Sequence, residues 1–365
     1  MRVTHIDVIP FSIPLRVPNE FASGHLRAAE HALVTVETDD GIAGHAEAIP
    51  RPMVYGETMA SLTWAIESII APAWVGLDLT CTEVARHRLR HLVGNPSARS
   101  SVEIAVFDAL GKTLGHPCYR LLGGYRSLVE CAGILHLGTP EEVVSEALQL
   151  SEDHGIGTFK VKVGLELDRD VATVALLRRE LGSQTTLYCD GNGGFSVDET
   201  LRFARSTEAY GLTCLEEPCR WTSTGARAAV SRHSPIAILG DESCGTYGSV
   251  VDSLNTGNCS MVSVKPTRTG VITSSQIIAF CEEMGADVII GSQGESAIGM
   301  VVAGAVAGAT EFAGRRAAEL SYYLGLEEQL TTSVPAITNG QLQLPDSPGF
   351  GIEIDSVKLA KYRLR

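Results

Sequence analysis

The chain has 365 residues, of which 44% are hydrophobic and 20% are charged, and its formal net charge at pH 7 is -14. This length exceeds that of a typical small domain, so we expect one large domain and a second one beside it. The acidic balance argues against a nucleic-acid partner or an anionic membrane partner, because binding to phosphate groups requires a positively charged surface.

The cysteine content indicates a reducing compartment. Nine cysteines are present, an odd number, and none forms a Cys-x-x-Cys pair. This usage favours a reduced cytosolic protein over a disulfide framework. The amino terminus opens in a strand pattern without the apolar core of a signal peptide, and no apolar run reaches the roughly 20 residues that a membrane span needs. We therefore expect a cytoplasmic protein with no membrane partner.

Residues 1 to 50 have the alternating pattern of an antiparallel meander. Three strands are predicted, at residues 3–13, 32–38 and 42–48, and Asp39-Asp40-Gly41 predicts the hairpin turn before the last one. The segment 18–25 is rich in turn formers and predicts a mobile loop, with Phe21 placed to close over a site. From residue 56 to 115 apolar residues recur at helical spacing, so helices should pack on the meander as an α+β unit.

Beyond a glycine-containing boundary at residues 122–127, strand and helix patterns alternate without a break. Eight strands are predicted, beginning near residues 131, 159, 187, 214, 237, 261, 287 and 317. This alternation predicts an α/β fold, a (β/α)8-type (TIM-like) barrel, with an open doubly wound sheet as the alternative. We expect an α+β capping domain at 1–125, the barrel at 126–334 and a C-terminal segment at 335–365 that returns to the capping domain.

Charged residues end five consecutive barrel strands. Lys162, Asp190, Glu216, Asp241 and Lys265 follow one another at spacings of 28, 26, 25 and 24 residues, the length of one βα unit. Because the carboxyl ends of barrel strands converge on one mouth, the three acids should meet there. Three carboxylates suit Mg²⁺, and the lack of neighbouring His or Cys ligands disfavours zinc. Any one of these acids alone could instead be a strand cap or a salt-bridge partner.

Two lysines mark the second barrel strand. Lys160 and Lys162 are two residues apart, so their side chains share one face while Val161 and Val163 take the other. A lysine that acts as a base must lose its proton, and burial, a neighbouring ammonium group and a metal all favour that loss. Lys160 would be the neighbour of Lys162, and Lys265 would stand across the mouth. The alternative, an edge strand with solvated charges, conflicts with the apolar flanking residues.

These motifs resemble the enolase superfamily, and within it the muconate lactonizing enzyme subgroup. The shared pattern is Lys-x-Lys, Asp-x-Asn, Glu-x-Pro, Asp-Glu-Ser and a further lysine on successive strands. The resemblance spans the chain and implies enolate formation beside the carboxylate of a small-molecule substrate, in a homo-oligomeric enzyme. It also implies that Mg²⁺, with Mn²⁺ as the alternative ion, binds to Asp190, Glu216 and Asp241.

The same resemblance assigns the other site positions. Lys162 and Lys265 would be the acid/base pair on opposite faces of the substrate, and Lys160 would adjust Lys162 and help to hold the substrate carboxylate. Asn192 and Glu242 would lie behind the metal ligands. Contacts with the substrate are assigned to positions in the capping domain and at the last two barrel strands: Phe21, Tyr55, Gln293, Glu295 and Glu319.

Local stretches most resemble muconate cycloisomerases, among them Phe21–Gly24, Pro50–Thr58 and Glu319–Ser321. In that reaction one carboxylate of cis,cis-muconate adds across the diene and a lysine ammonium, here expected to be Lys162, delivers a proton. The nearest alternative is a racemase or epimerase of N-acylamino acids, dipeptides or proline derivatives, although Ala318–Ser321 lacks the Asp-x-Asp that dipeptide epimerases use to hold the substrate amine. A dehydratase of a β-hydroxy amino acid and a non-catalytic barrel are further alternatives.

Overall fold

The computed structural model describes residues 1–21 and 24–364, and the side chains of residues 18–25 and of Thr224 lie outside this description. The amino-terminal part forms an antiparallel sheet in the order β1 (Val3–Phe21), β2 (Gly24–Thr38) and β3 (Ala43–Ala48).

The first two strands are much longer than predicted. Pairing between β1 and β2 extends as far as Phe21 opposite Gly24, with a shift of register between Pro14 and Asn19. This irregularity accommodates Pro18, which has no N–H group to donate to a ladder. The predicted loop at 18–25 is therefore wrong, because the described backbone of this segment belongs to the two strands β1 and β2. The lid function predicted for Phe21 stays a prediction, because the side chain of Phe21 lies outside the described residues. Ala22 and Ser23 also lie outside them.

Helices that pack on this sheet complete the capping domain. They are α1 (Pro52–Tyr55), α2 (Met59–Ala65), a π-helical turn (Ile66–Ile70), α3 (Ala71–Trp74), α4 (Thr82–Arg88), α5 (Pro96–Leu114) and α6 (Cys118–Leu121). The predicted helical stripe lies on α5, where Val102, Ala105 and Ala109 are fully buried. These small side chains allow α5 to lie close against β2 and β3.

After β4 (Leu128–Glu130), seven parallel strands curl into a barrel. They are β5 (Ala132–Leu135), β6 (Thr158–Lys162), β7 (Thr186–Asp190), β8 (Leu212–Glu216), β9 (Ala237–Gly240), β10 (Met261–Val264) and β11 (Asp287–Ile290), paired in that order. One helix follows each strand: α7 (Pro140–His154), α8 (Leu167–Leu181), α9 (Val197–Thr207), α10 (Thr224–His233), α11 (Tyr247–Asn255), α12 (Pro266–Met284) and α13 (Ala297–Ala307). Side chains of Thr139, Ser196 and Thr246 cap three of these helices by accepting otherwise unpartnered N–H groups.

The barrel is closed by a segment much shorter than the eighth strand predicted near residue 317. Ala318 N–H donates to Glu130 O (2.8 Å), Ala132 N–H donates to Ala318 O (2.7 Å), and Glu319 N–H donates to Ile290 O (2.9 Å). This segment thus joins β11 to β5. Beyond it, Leu324 N–H donates to Ser321 O (3.0 Å) and turns the chain into a 3₁₀ helix. The predicted barrel architecture with a capping domain is confirmed, and its eighth strand is reduced to this short segment.

The barrel interior is filled by side chains. Six strands each contribute one residue to an inner layer, namely Ala132, Tyr188, Cys214, Leu239, Met261 and Ile289. The one remaining strand of these seven, β6, has Lys160 in register with Tyr188. A cation therefore lies within an otherwise apolar or aromatic layer. All nine cysteines are free thiols, as predicted.

A carboxylate of the capping domain binds the first turn of α13. Glu47 on β3 pairs with His31 (Nδ1 to Oε1, 2.6 Å). Its Oε2 accepts hydrogen bonds from the N–H groups of Ser296 (3.0 Å) and Gly299 (3.1 Å). Because the first N–H groups of a helix have no partner within the helix, this contact stabilises α13 and attaches it to the capping sheet.

A second carboxylate binds α12 in the same way. Glu103 on α5 accepts a hydrogen bond from Ile272 N–H (3.1 Å), where the helix resumes after Gly270. Gly270 has φ 76° and ψ 168°, which are not helical angles. A Cβ atom at this position would overlap the Glu103 carboxylate, so the close approach requires glycine.

The C-terminal segment contacts both domains. Its strands β12 (Ile337–Thr338) and β13 (Gln341–Gln343) form a small sheet with β4. Its helix α14 (Ser356–Tyr362) lies against β1, and Leu364 N–H donates to Pro10 O (2.8 Å). The bounds of the three predicted regions stay a prediction. Within the described residues, no helix combines the length and the apolar character required to cross a membrane.

We predict that Glu103→Gln increases stability more at high pH than at low pH. Burial raises the pKa of Glu103 from 4.5 to about 7. The stability that this group contributes is therefore fully present below about pH 4.5 and is lost as pH rises through about 7, because only the unfolded chain ionises easily in that range. Glutamine is neutral throughout. The difference in Tm between Glu103→Gln and wild type should grow from about pH 5 to about pH 8.

The exposed residue Glu283 on α12 offers a matched control, since Glu283→Gln should leave that pH dependence unchanged. A difference in Tm for Glu103→Gln that is the same at both pH values would show that the carboxyl group ionises normally in the folded protein.

Candidate active site

A cavity of about 100 Å³ lies at the carboxyl ends of the barrel strands. The capping domain contributes Leu26, Arg51 and Val54 to its wall. The barrel contributes mainly polar residues: Lys160, Lys162, Asp190, Asn192, Asp241, Glu242, Lys265, Arg268, Ser292, Gln293 and Glu319. The repeated βα spacing in the sequence thus places its charged residues at one mouth.

Lys162 and Lys265 stand four strands apart, on β6 and directly after β10, and so face each other across the barrel. Lys162 Nζ lies 2.8 Å from Asp190 Oδ2 and 2.9 Å from Asn192 Oδ1. Lys265 Nζ lies 2.5 Å from Asp241 Oδ2. Although burial opposes it, the charge of Asp241 raises the pKa of Lys265. This arrangement favours an ammonium group at Lys265, whereas the sequence reasoning expected loss of the proton.

Lys160 is buried, and it shares Asp190 Oδ2 with Lys162, whose Nζ lies 2.8 Å from that oxygen. Lys160 Nζ lies 3.0 Å from Asp190 Oδ2, 2.7 Å from Glu216 Oε2 and 3.0 Å from Glu319 Oε1. Although burial opposes it, these three carboxylates raise the pKa of Lys160 well above its usual value. The charge of Lys160 therefore compensates protein carboxylates, and its predicted contact with a substrate carboxylate stays a prediction.

The three predicted metal ligands have different surroundings. Burial alone would raise the pKa of Asp190, but the charges of Lys160 and Lys162 outweigh this effect and lower the pKa to about 2. Although burial opposes it, Lys265 and Arg268 likewise lower the pKa of Asp241.

Glu216, fully buried below these two acids, lies outside the cavity wall. Burial, and then the charge of Asp190, raise the pKa of Glu216 well above its usual range. Lys160 Nζ lies 2.7 Å from its Oε2, and its Oε1 has no hydrogen-bond partner among the residues that the structure describes.

These residues fit a hard divalent cation in their chemistry. They offer carboxylate oxygens, and the buried Oε1 of Glu216, which has no partner among the described residues, carries a desolvation penalty that a cation would reduce. In the described part of the chain, no three His, Cys, Asp or Glu side chains are arranged around a common ion position. Lys160, Lys162, Lys265 and Arg268 contact oxygens of Asp190 and Asp241 in this structure, and the assignment of the three acids as metal ligands stays a prediction.

Asn192 and Glu242 lie in the cavity wall itself. Asn192 Nδ2 donates to Glu242 Oε1 (3.3 Å), and Asn192 Oδ1 accepts from Lys162. Burial, and then the charge of Asp241, raise the pKa of Glu242 to about 7. These contacts place both residues beside the carboxylates Asp190 and Asp241, close to their predicted positions.

Tyr55 and Glu295, two residues that were predicted to contact the substrate, contact Gln293 of the cavity wall. Tyr55 OH lies 2.6 Å from Gln293 Oε1, and Gln293 itself lines the cavity. Glu295 accepts hydrogen bonds from Thr267 Oγ1 (2.7 Å) and Gln293 N–H (2.8 Å). Tyr55 and Glu295 are absent from the cavity wall that the structure describes, so they position Gln293 and make no direct contact there.

Glu319 lines the cavity, but both of its oxygens are already hydrogen-bonded. Lys160 Nζ donates to Oε1 (3.0 Å) and Oε2 (3.2 Å), Tyr188 OH donates to Oε1 (2.8 Å), and Ser292 N–H donates to Oε2 (2.9 Å). A carboxylate in this position stabilises the closing segment of the barrel.

Arg268 was missed by the sequence reasoning. It is 4% exposed, and its Nη1 donates to Asp241 Oδ1 (2.8 Å). The available signal was its position in Lys265-Pro266-Thr267-Arg268, one helical turn beyond a strand-end lysine. Gly291 was also missed: a Cβ atom there would lie 3.0 Å from Lys265 Cε and would crowd that side chain.

We predict that Lys160→Met lowers the free energy of unfolding by about 3 to 5 kcal/mol, because it leaves buried carboxylates without a compensating charge. Urea denaturation would measure this change. Adding Glu319→Gln should recover part of the loss, since it removes one of those charges. Equal stability of the wild type and Lys160→Met would contradict the importance of this buried ammonium group.

Two family models match the chain. "Mandelate racemase / muconate lactonizing enzyme, N-terminal domain" matches residues 4–123, and "Enolase C-terminal domain-like" matches residues 142–358. Together they cover both the capping domain and the barrel.

Relatives with two different activities have similar sequences. The chain is 28% identical to L-Ala-D/L-Glu epimerase of Bacillus subtilis over 357 residues, which are 96% of this chain and 97% of the relative. It is 29% identical to muconate cycloisomerase 1 of Pseudomonas putida over 368 residues, 98% of this chain and 97% of the relative. Among solved structures, muconate lactonizing enzyme from Mycobacterium smegmatis complexed with muconolactone has a TM-score of 0.98 and 40% identity, covering 100% of both chains.

Proposed function

Because this chain belongs to the enolase superfamily, in its muconate lactonizing enzyme subgroup, we propose that it is a Mg²⁺-dependent muconate cycloisomerase. The observation that carries the proposal is the 40% identity, over both whole chains, with an enzyme whose structure contains muconolactone. The identity to the B. subtilis epimerase is 28%.

The surroundings of Glu319 support the same choice. A dipeptide epimerase needs an acid at the end of the barrel to hold the substrate ammonium group. The segment Ala318–Ser321 offers only Glu319, whose oxygens already accept from Lys160, Tyr188 and Ser292. Arg51, Lys162 and Lys265 instead line the cavity with cations that would attract a dicarboxylate.

In the proposed reaction, an oxygen of one muconate carboxylate forms a bond to a diene carbon. One proton is then added to the carbon next to the other carboxylate, which gives the lactone. Lys162 is placed to deliver that proton from Nζ, since Asp190 and Asn192 hold this atom at the cavity wall. Lys265 remains an ammonium group beside Asp241 and stabilises negative charge on the other face. When bound by Asp190, Glu216 and Asp241, Mg²⁺ would neutralise charge that develops on the substrate carboxylate.

The size and covering of the cavity favour a compact substrate. Its volume of about 100 Å³ is small compared with pockets of roughly 300 Å³ or more that bind drug-sized ligands. Leu26 and Val54 of the capping domain form apolar parts of its wall. Apolar side chains above the strand ends exclude water, which strengthens the electrostatic contacts of the lysines.

A racemase or epimerase is the second candidate. Two lysines face each other across the barrel, which is the arrangement that removal and return of an α-proton requires. The similarity to L-Ala-D/L-Glu epimerase supports this reading. The two candidates differ in whether both lysines must exchange a proton with the substrate.

We predict that Asp190→Asn, Glu216→Gln or Asp241→Asn weakens Mg²⁺ binding and lowers kcat about 100-fold or more, because each removes a negative charge from the proposed metal site. Calorimetric titration with Mg²⁺ and an assay of muconate turnover would measure both effects. The exposed acid Asp198 on α9 serves as the control, and Asp198→Asn should change neither. Full activity of Asp241→Asn in EDTA would refute the metal assignment.

We also predict that the two lysines are unequal. Lys162→Ala should reduce muconate turnover by about 100- to 10,000-fold, because it removes the proton donor. Lys265→Ala should cause a smaller loss, since its contribution is electrostatic. The ultraviolet absorbance of cis,cis-muconate follows the reaction. Equal abolition by both substitutions, together with exchange of the α-proton of an N-acylamino acid by the wild type, would favour the racemase.

A further inference from the structure

Glu217 has an unusual position at the end of β8. It follows the proposed metal ligand Glu216 directly, and its φ of 34° lies in the left-handed region that residues other than glycine rarely occupy. Its backbone is held on both sides, because Glu217 N–H donates to Leu239 O (3.0 Å) and Gly193 N–H donates to Glu217 O (2.7 Å). The side chain is fully buried. Strain of this kind persists only where surrounding contacts enforce it.

One carboxylate oxygen of Glu217 organises the turn after β9. Its Oε2 accepts hydrogen bonds from Asp241 N–H (2.9 Å), Ser243 N–H (3.1 Å) and Ser243 Oγ (2.9 Å). Asp241 has φ −121° and ψ −81°, which belong to neither strand nor helix. The carboxylate thus hydrogen-bonds directly to the backbone of Asp241. The position of that backbone determines where the Asp241 side chain lies.

The other oxygen of Glu217 faces Arg227 on α10. The two side chains form an ion pair, and they are 0% and 1% exposed, respectively. A buried carboxylate without a cation would lose its charge or destabilise the fold. Arg227 is therefore the cation that lies beside this buried carboxylate, on the side opposite to Asp241 and Ser243.

We infer that Glu217 is a positioning residue for Asp241, with Arg227 as its charge partner. Asp241 in turn contacts Lys265 and Arg268, so Glu217 acts on the second lysine of the site through Asp241. This inference rests on the proposed function, in which Asp241 holds Mg²⁺. It adds a line of contacts from the outer helix α10 to the mouth of the barrel.

The test compares two variants, of which one keeps a hydrogen-bond acceptor at position 217 and the other removes it. Both contain Arg227→Met, which removes the buried cation, so that neither Glu217→Gln nor Glu217→Ala leaves an unpaired charge. Glutamine keeps a carbonyl oxygen for Asp241 N–H, whereas alanine offers none. Mg²⁺ affinity, measured by calorimetry, should be about 10- to 100-fold weaker for Glu217→Ala/Arg227→Met than for Glu217→Gln/Arg227→Met. Equal affinity in the two folded variants would overturn the inference.

Asp108 in the capping domain provides a matched control. It is a fully buried carboxylate that accepts from two backbone N–H groups, those of His45 (2.9 Å) and Phe350 (2.7 Å), and pairs with Lys112 (2.7 Å). Asp108→Ala should lower Tm as the Glu217 variants do, but should leave Mg²⁺ affinity unchanged. A parallel loss of Mg²⁺ affinity in Asp108→Ala would reduce the effect of Glu217 to general destabilisation and would overturn the inference.

Failure of the proposed function can be told apart from failure of this inference. If the wild type binds Mg²⁺ and does not convert muconate, the proposed substrate is wrong, and the comparison at Glu217 still decides the positioning effect. If the wild type binds no Mg²⁺, both proposals are wrong.

Discussion

A single buried ammonium group connects the charged parts of this barrel. Lys160 Nζ contacts carboxylates from β7, β8 and the closing segment, namely those of Asp190, Glu216 and Glu319. In an interior of low dielectric, these negative charges would repel one another and could not all stay ionised without a cation among them. The lysine in the inner layer of β6 therefore helps three acids to lie close together at the mouth of the barrel.

Because Lys160 is needed to compensate buried carboxylates, it supports the site, whereas Lys162 and Lys265 remain for the proposed chemistry. Lys160, Lys162 and Lys265 all line the cavity, but Lys162 and Lys265 are each paired with one carboxylate, whereas Lys160 contacts three. The capping domain adds Arg51 above the barrel and holds the loops after β10 and β11 through Glu103 and Glu47. Residues of both domains therefore line the cavity, whereas Lys162 and Lys265, the two lysines of the proposed reaction, both belong to the barrel.

The sequence predicted the barrel and its charged strand ends because both follow from local pattern. A repeat of one βα unit determines which residues end each strand, and this placed Lys162, Asp190, Asp241 and Lys265 correctly around one mouth. It could not predict that Glu319 contacts Lys160, since these residues are 159 positions apart and meet only when the barrel closes. The length of the first hairpin was missed because cross-strand pairing outweighed the turn-forming residues in 18–25.

We propose that these charges promote lactonization of a small dicarboxylate and do not racemise an amino-acid derivative. Proton NMR in D₂O tests it directly, with the wild type, Mg²⁺ and either cis,cis-muconate, a dipeptide or an N-succinylamino acid. We expect muconate to give a lactone that carries one deuterium next to its carboxylate, with no exchange of the α-protons of the amino-acid derivatives. Unchanged muconate, together with α-proton exchange in either derivative, would contradict the claim.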